Sequence, residues 1–217
     1  MVSKYSKLNN TAVVYVTTFD TDVEVREVLP TIRNEAIQSC TDTLTKQQRY
    51  CVWRLLDYAL RDFYGKGVED FRFYVDDNGK WSSNNGVEFS LSHCNNVVAV
   101  AICHHFVGVD VECVGNFVRH ANSVDFAERV LTDNEQALLR EVSEQHQTET
   151  LARMWTRKES IFKLNGGKAF LPKSVDTTVK VAHSQLLTLN GEDYVLSVAT
   201  YIPAKIELAQ VDWKHCQ

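Results

Sequence analysis

The sequence predicts an α+β fold in which most strands pair in antiparallel fashion. The predicted elements follow the order sheet, helix, sheet, helix, sheet, and this order is typical of that class. The composition supports a folded chain, because 44% of the residues are hydrophobic and 10% are aromatic. With 217 residues, the chain can form one large domain or two small ones of roughly 100 residues each.

The first half of the chain alternates between strand and helix patterns. Residues 12–19 are rich in β-branched side chains, and residues 71–75 alternate before the turn signal Asp77-Asn78-Gly79-Lys80. Apolar residues recur at helical spacing between 44 and 64, and Gly65 ends this pattern. Strands are therefore predicted at 12–19, 71–75, 87–92, 97–103 and 107–112, and helices at 31–40 and 44–64.

The second half opens with helical signals and closes with strands. Residues 117–130 contain a short amphipathic helix, and Thr132-Asp133-Asn134-Glu135 is a capping box that opens another. The principal helix of this half runs from about 148 to 164 and ends at Asn165-Gly166-Gly167. Strands are predicted at 176–182, 193–202 and 206–213.

Charge and composition exclude several classes of partner. The formal net charge is −5, whereas nonspecific duplex binding needs an excess of Lys and Arg, so no nucleic-acid partner is expected. No apolar run approaches the roughly 20 residues that span a bilayer, and no secretory leader is recognised. The six cysteines lack zinc spacing and fit reduced, mostly buried thiols. We expect a cytoplasmic protein.

The segment 108–112 is the most informative motif. Side chains alternate along a strand, so Asp110 and Glu112 lie on one face. Two neighbouring carboxylates on a mostly apolar strand repel each other, and a hard cation would keep both ionised. Glu159 supplies a third carboxylate, with Lys163 one helical turn later. The alternative is that these are ordinary surface carboxylates, with Glu159 and Lys163 forming an exposed i, i+4 ion pair.

The segment 89–93 (FSLSH) adds a second site signal. It ends a predicted strand with Ser92 and His93, whose hydroxyl and imidazole are both suited to holding a phosphate. A single histidine is more often structural, but the combination with three carboxylates and a lysine favours a magnesium–phosphate site.

The three motifs FSLSH, GVDVE and WTRKESIFK, in this order and at these separations, resemble the 4′-phosphopantetheinyl transferases. The chain is more similar to the larger, pseudo-dimeric class, typified by the enzyme that activates surfactin synthetase, than to the small trimeric class. The motif similarity covers residues 79–172. It implies a Mg²⁺-dependent enzyme that moves the phosphopantetheine arm of coenzyme A to a serine of an apo acyl or peptidyl carrier protein, releasing adenosine 3′,5′-bisphosphate.

The resemblance also implies a role for each matching residue. Asp110, Glu112 and Glu159 would bind Mg²⁺, and Lys163 would contact the same phosphates. Ser92 and His93 would hold the 3′-phosphate end of coenzyme A. Lys80 would meet the adenosine end, and Arg49 is the best match to a nucleotide-binding arginine. Glu159 is the favoured general base, with Lys163 beside it at the reacting phosphate. Glu135 matches an acidic position of unassigned role.

The resemblance implies two similar subdomains related by a pseudo-two-fold axis, each an antiparallel sheet packed on a long helix. Residues 1–105 would carry nucleotide contacts, and residues 106–217 would carry the metal-binding carboxylates and the carrier-docking surface. Because one chain holds both halves of the cleft, we expect a monomer. Phe117, Val118, Phe126 and Val130, with Arg119 and Arg129, are the expected docking residues.

Two other functions stay open at this stage. One is a catalytically inactive coenzyme A-binding partner of the same fold, and the other is a Mg²⁺-dependent nucleotide phosphohydrolase. The chain also departs from the family pattern, because its N-terminal stretch is less basic. The only cationic residues between 29 and 48 are Arg33 and Lys46. In addition, the lysine of the usual Gly-Lys-Gly stop is displaced by one place, to Gly166-Gly167-Lys168. The identity of the carrier protein is not encoded in these motifs.

Overall fold

The described chain combines nine strands with six α-helices, which confirms the predicted α+β class. The computed structural model describes residues 10–83, 86–121, 123–178 and 182–217. Its strands are β1 Thr11–Thr18, β2 Phe73–Val75, β3 Trp81–Ser83, β4 Glu88–Cys94, β5 Val97–Cys103, β6 Val107–Cys113, β7 Ala182–Leu189, β8 Glu192–Thr200 and β9 Lys205–Gln210. Its helices are α1 Thr31–Gln38, α2 Thr43–Tyr64, α3 Val118–Ala121, α4 Val124–Val130, α5 Asp133–Glu141 and α6 Glu144–Asn165.

The first sheet has the strand order β4-β5-β1-β9 and packs against α2. Strand β1 pairs antiparallel with β5 and parallel with β9, so its backbone is hydrogen-bonded on both sides. The alternation of β1 divides its buried side chains between two cores. Val13 and Tyr15 face α2, whereas Val14 and Val16 face the second sheet.

The helix α2 begins and ends where the local sequence specifies. The Asp42 side chain accepts a hydrogen bond of 2.7 Å from the backbone N–H of Thr45, which caps the first turn. Gly65 takes the left-handed conformation with φ 72°, and its N–H donates to the carbonyl of Arg61. The predicted helix 44–64 and its glycine stop are therefore confirmed.

The second sheet has the order β6-β8-β7, with all neighbours antiparallel, and it packs against α6. Val109, Val111 and Val198 on its inner face meet the side chains of the first sheet in one buried cluster. The two sheets thus lie face to face between the two 22-residue helices α2 and α6. The expected pseudo-two-fold relation between the halves stays a prediction.

Side chains of β4 join the edges of the two sheets along a regular ladder. The Ser90 hydroxyl accepts from the backbone N–H of Val109 at 3.0 Å, and the Ser92 hydroxyl accepts from that of Val111 at 3.2 Å. The Cys94 sulfur continues the series by accepting from the N–H of Cys113 at 3.3 Å. Every second residue of β4 therefore satisfies every second edge N–H of β6, and this fixes the register between the sheets.

Several predicted boundaries are corrected by the structure. The strand predicted at 176–182 is wrong for 176–178, which form a turn held by Glu135, while 179–181 lie outside the described residues. The strand β7 follows instead at Ala182–Leu189. The short helix predicted within residues 117–130 is confirmed as α4 Val124–Val130, which Ser123 caps by accepting from the N–H of Phe126. The last predicted strand ends at Gln210 rather than at residue 213.

The strand β9 and the turn that follows it pack with the first sheet and α2, although they come from the second half of the sequence. The division of the chain at residue 105 therefore does not coincide with the division between the sheets. As a division into functional halves, it stays a prediction. Among the described residues, no helix is both long enough and apolar enough to cross a membrane.

We expect Gly108→Ala to destabilise the fold, because α6 lies directly against this residue of β6. A Cβ atom at position 108 would overlap the carbonyl oxygen of Ser160 and lie 2.6 Å from the backbone nitrogen of Leu164. Overpacking of this kind lowers the free energy of unfolding by about 1–3 kcal/mol, which urea unfolding would measure. The control is Gly115→Ala, whose Cβ would make only an ordinary contact of 3.5 Å with the Cys113 sulfur. Equal stability of the two variants would contradict the prediction.

Candidate active site

The residues predicted to carry chemistry come from three elements that meet at the sheet seam. β4 carries Ser92 and His93, β6 carries Asp110 and Glu112, and α6 carries Glu159 and Lys163. The seam places β4 beside β6, while the close contact at Gly108 holds α6 against β6. Motifs separated by up to 71 residues in sequence are thus brought together, since Lys163 contacts Ser92 directly.

Asp110, Ser92 and Lys163 form the centre of this site. The Ser92 hydroxyl donates to Asp110 Oδ1 at 2.8 Å, and Lys163 Nζ lies 2.7 Å from the same oxygen. Lys163 Nζ also donates to the Ser92 hydroxyl at 3.1 Å. Ser92 and Asp110 are each only 4% exposed. Ser92 therefore orients Asp110, in addition to accepting the backbone N–H of Val111.

One carboxylate oxygen of Asp110 accepts no hydrogen bond from any described group of the protein. Oδ2 is buried and has no hydrogen-bond partner, although Oδ1 has two. A buried carboxylate oxygen without a partner is costly, and such atoms mark positions where an ion, water or ligand group binds. The open oxygen of Asp110 is therefore the first structural indication of a ligand at this position.

Glu112 and Glu159 lie within electrostatic range of Asp110 and of each other. Burial, followed by repulsion from Asp110, raises the pKa of Glu112 to about 7. Burial and Asp110 likewise raise the pKa of Glu159 to about 7, with a further contribution from Glu112. Lys163 opposes both shifts. A bound divalent cation would favour the ionised forms of all three carboxylates.

The three carboxylates are chemically suitable ligands for Mg²⁺, but their side chains are not arranged as a metal site in this structure. Three carboxylates are the hard oxygen ligands that Mg²⁺ takes, and Asp110 Oδ2 is open. Within the described ranges, however, no three His, Cys, Asp or Glu residues converge closely enough to hold a metal ion. Lys163 now supplies the cation at Asp110 Oδ1. Metal binding therefore requires a rearrangement of these side chains.

Lys80 and a pocket lie next to Lys163. The side chain of Lys80 donates to the backbone carbonyl of Lys163 at 3.1 Å, which ties the turn before β3 to the end of α6. Burial lowers the pKa of Lys80, although Glu88 and Asp76 oppose the shift. The pocket has a volume of about 240 Å³. Trp81, Phe89, Leu91 and Phe162 give it apolar walls, and Lys80 and Lys163 give it cationic ones.

A group of cations that includes Lys163 surrounds His93. Desolvation and the charges of Lys163, Arg33 and Arg49 lower the pKa of His93 to about 4. Because His93 is exposed to solvent and keeps much of its hydration, the three cations are the firmer cause. Arg49 donates to the carbonyl of Ala36, and Arg33 donates to the carbonyl of Arg49 at 2.7 Å. The predicted residues Arg49 and His93 therefore share one electropositive region.

Arg33 belongs to this region, although the motif analysis did not assign it to the site. It is only 5% exposed, and its guanidinium packs against both Trp53 and Trp81, at 4.9 and 5.2 Å from the ring centroids. Its Nε is buried without a hydrogen-bond partner. The spacing of Arg33 and Ile37 on α1 was the available signal, because i, i+4 residues share a helix face and both are buried.

The residues expected at the docking surface divide into two groups. Phe117 and Val130 are 6% and 7% exposed and belong to a buried cluster with Leu151 and Val195, so they cannot offer a contact surface. Val118 is 61% exposed, and Phe126 is half-buried with its ring stacked on His120 at 4.3 Å.

Comparison with known proteins gives a consistent family. Residues 106–204 match the model of the 4′-phosphopantetheinyl transferase superfamily. The chain is 33% identical over 130 residues to the 4′-phosphopantetheinyl transferase AcpT of Escherichia coli K12, covering 58% of this chain and 63% of that protein. It is 28% identical over 104 residues to the 4′-phosphopantetheinyl transferase gsp of Aneurinibacillus migulanus, covering 48% and 42%. The chain thus spans less than two thirds of the length of these curated relatives.

The raised pKa values of Glu112 and Glu159 predict a specific pH dependence of stability without added metal. The folded state retains protons on these groups above their ordinary pKa, so their contribution to the free energy of unfolding decreases as pH rises from about 4.5 to about 7. The double variant Glu112→Gln/Glu159→Gln lacks this loss. Urea unfolding at pH 5 and pH 7.5 should show the variant gaining stability relative to the unsubstituted protein at the higher pH.

The pH comparison has a matched control and a clear contradicting outcome. Glu144→Gln on the same helix removes a carboxylate from the first turn of α6, far along the helix from Lys163. This control should show no such relative gain between the two pH values. A relative loss of stability for the double variant at pH 7.5 would contradict the assigned direction of the pKa shifts.

Proposed function

We propose that this chain is a phosphopantetheinyl transferase, because residues 106–204 match the model of the 4′-phosphopantetheinyl transferase superfamily and the similar curated proteins carry that name. It would transfer the phosphopantetheine arm of coenzyme A to a serine of an apo acyl or peptidyl carrier protein. The products would be the holo carrier and adenosine 3′,5′-bisphosphate. The observation that carries this proposal is the Asp110–Ser92–Lys163 centre, flanked by Glu112 and Glu159.

The reaction needs charge control more than covalent help from the protein. The serine oxygen attacks the β-phosphorus, and the bond from that phosphorus to the bridging oxygen of the leaving bisphosphate breaks. The serine proton passes to a base. We assign this role to Glu159, a carboxylate of α6 that interacts electrostatically with Asp110 and Lys163 at the centre of the site. Lys163 contributes positive charge beside the reacting phosphate.

Asp110, Glu112 and Glu159 would hold the Mg²⁺ ion. When bound, Mg²⁺ neutralises charge on the pyrophosphate and orients it for displacement. In the described structure, Lys163 lies on Asp110 Oδ1, so we propose that Lys163 moves from this carboxylate to a phosphate oxygen when metal and substrate bind. Ser92 would keep Asp110 oriented during that exchange, because its hydroxyl is anchored by the N–H of Val111.

The cations around His93 would hold the nucleotide end of coenzyme A. Arg49 and His93 were predicted to do so, and Arg33 joins them as a buried guanidinium with an unpaired Nε. The planar guanidinium of Arg33 is already ordered by two tryptophans, which favours recognition of a phosphate. The 240 Å³ pocket beside Lys80 has the apolar walls that a base would need.

The docking and assembly proposals follow from the same cleft. Residues 1–105 would supply the nucleotide contacts, and residues 106–217 would supply the carboxylates and the carrier-docking surface. Val118 and Phe126, with Arg119 and Arg129, remain the residues that we assign to carrier docking. A single chain would hold both sides of the cleft, so we propose that it acts as a monomer.

The transfer assay tests the function directly. Incubation with coenzyme A, Mg²⁺ and an apo carrier should increase the carrier mass by one phosphopantetheine group, as measured by mass spectrometry. Asp110→Ala should lower the transfer rate by at least about 100-fold, since it removes the carboxylate at the centre of the charge network. Asp193→Ala is the matched control, because Asp193 lies in the same sheet and bonds only to Thr188 among its described contacts.

Other outcomes of this assay identify the alternative functions. Release of nucleotide without carrier modification would indicate a phosphohydrolase. Coenzyme A binding without turnover on any carrier of a fatty-acid, polyketide and peptide-synthetase panel would indicate an inactive binding partner. Full activity of Asp110→Ala would exclude Asp110 as a metal ligand.

Arg33 provides a second test, directed at the nucleotide end. Arg33→Met should raise KM for coenzyme A by about 10- to 100-fold, because a charge-assisted contact to phosphate is lost. KM for 3′-dephospho-coenzyme A should change little, because that substrate lacks the phosphate. Lys46→Met, which removes the other cation of the 29–48 stretch, serves as the control. An equal rise of KM for both substrates would mean that Arg33 does not read the 3′-phosphate.

A further inference from the structure

A fully buried ion pair lies behind the catalytic face of α6. Lys158 Nζ is 2.6 Å from Glu135 Oε2, and both side chains are completely buried. The same ammonium donates to the carbonyl of Pro172 at 2.9 Å and to the carbonyl of Val175. All three donors of Lys158 are therefore used, and they connect α6 to α5 and to the loop that follows α6.

The Glu135 carboxylate is equally saturated. Its Oε1 accepts from the backbone N–H of Thr177 at 2.9 Å and from the Thr177 hydroxyl at 2.6 Å. Its Oε2 accepts from the N–H of Thr132 at 2.8 Å, in addition to Lys158. One carboxylate thus ties together the start of α5, the turn at 176–178 and the middle of α6.

This pair is directly coupled to the proposed active site through the helix backbone. Lys158 and Glu159 are adjacent, and successive residues of an α-helix point about 100° apart, so the anchored side chain fixes the direction of its neighbour. On the other side of Glu159, the carbonyl of Ser160 lies against Gly108. The helix is therefore held immediately before and immediately after Glu159, and Lys163 follows one turn later.

Stability alone does not account for an ion pair at this position. A buried pair loses the hydration of both charges, and well-packed apolar residues of similar volume often replace it without loss of stability. What the pair supplies is the orientation of α6, because five polar groups of four other residues bind it from the start of α5 and from the loop after α6. The following loop, whose Gly166 and Gly167 form one wall of the pocket, is held by the same lysine.

We propose that Lys158 and Glu135 are positioning residues that set the rotation of α6, and with it the placement of Glu159 and Lys163 for transfer. The proposal rests on the proposed function for its kinetic consequence. Neither residue touches substrate. Misplacement of reacting groups by about 1 Å lowers rates on the order of 100-fold, so small rotations of α6 have large kinetic effects.

The test is the double variant Glu135→Gln/Lys158→Met, which removes both charges together and leaves no unpaired buried ion. We expect it to fold, with kcat for carrier modification reduced about 10- to 100-fold and with the Kd for coenzyme A within about threefold of the original. The control is Arg153→Ala on the same helix, which removes the half-buried ion pair with Glu149 at 2.7 Å. The control should keep its kcat.

A second measurement separates this proposal from the function on which it rests. Amide hydrogen exchange of residues 159–165 and 170–175 should accelerate in the folded double variant but not in Arg153→Ala, and this readout needs no turnover. A protein that never modifies a carrier would disprove the proposed function, while exchange would still report on the anchoring. Unchanged kcat with unchanged exchange would overturn the positioning role. So would a loss of kcat that only matches the unfolded fraction.

Discussion

The hydrogen-bonded seam between β4 and β6 is the constraint on which the site depends. Two sheets that merely pack face to face could slide, but Ser90, Ser92 and Cys94 each accept one backbone N–H of β6. The register is therefore set by side chains at alternate positions of one strand. Because Ser92 belongs to this ladder, the same hydroxyl that aligns the sheets also orients Asp110. The hydroxyl oxygen of Ser92 therefore serves both the alignment of the sheets and the chemistry of the site.

The second constraint is the position of α6 over that seam. Gly108 lets the helix backbone approach β6, and the Lys158–Glu135 pair holds the helix from the opposite side. Glu159, between these two contacts, and Lys163, one turn later, interact with the carboxylates of β6. Lys163 neutralises part of their charge in the described structure, and burial leaves Glu112 and Glu159 with a pKa of about 7. The carboxylates of the site therefore repel one another, and a bound cation would reduce this repulsion.

The sequence predicted the elements and the motif residues better than it predicted their surroundings. Asp110 and Glu112 could be grouped because strand alternation is a local property, and Glu159 could be added to them because the ordered motifs resemble a known family. Arg33 and the partners of Lys158 could not be assigned from the sequence, because the residues that surround them are distant in the chain. The strand predicted at 176–182 failed for a similar reason. Thr177 and Thr178 have suitable local propensity, but the distant carboxylate of Glu135 holds Thr177 in a turn. Likewise, the apolar pattern at Phe117 and Val130 could not distinguish core from surface.

The parallel pairing of β9 with β1 has a consequence for the order in which the protein can assemble. The partners Thr11 and Lys205 are far apart in the sequence, so β1 keeps one unpaired edge until residues 205–210 have been synthesised. Contacts of such sequence separation form slowly. A ribosome-bound chain lacking residues 205–210 would expose a long apolar strand with free N–H groups, the kind of edge that pairs with other chains. The free edge of β1 is therefore protected only after residues 205–210 have been synthesised and have paired with it.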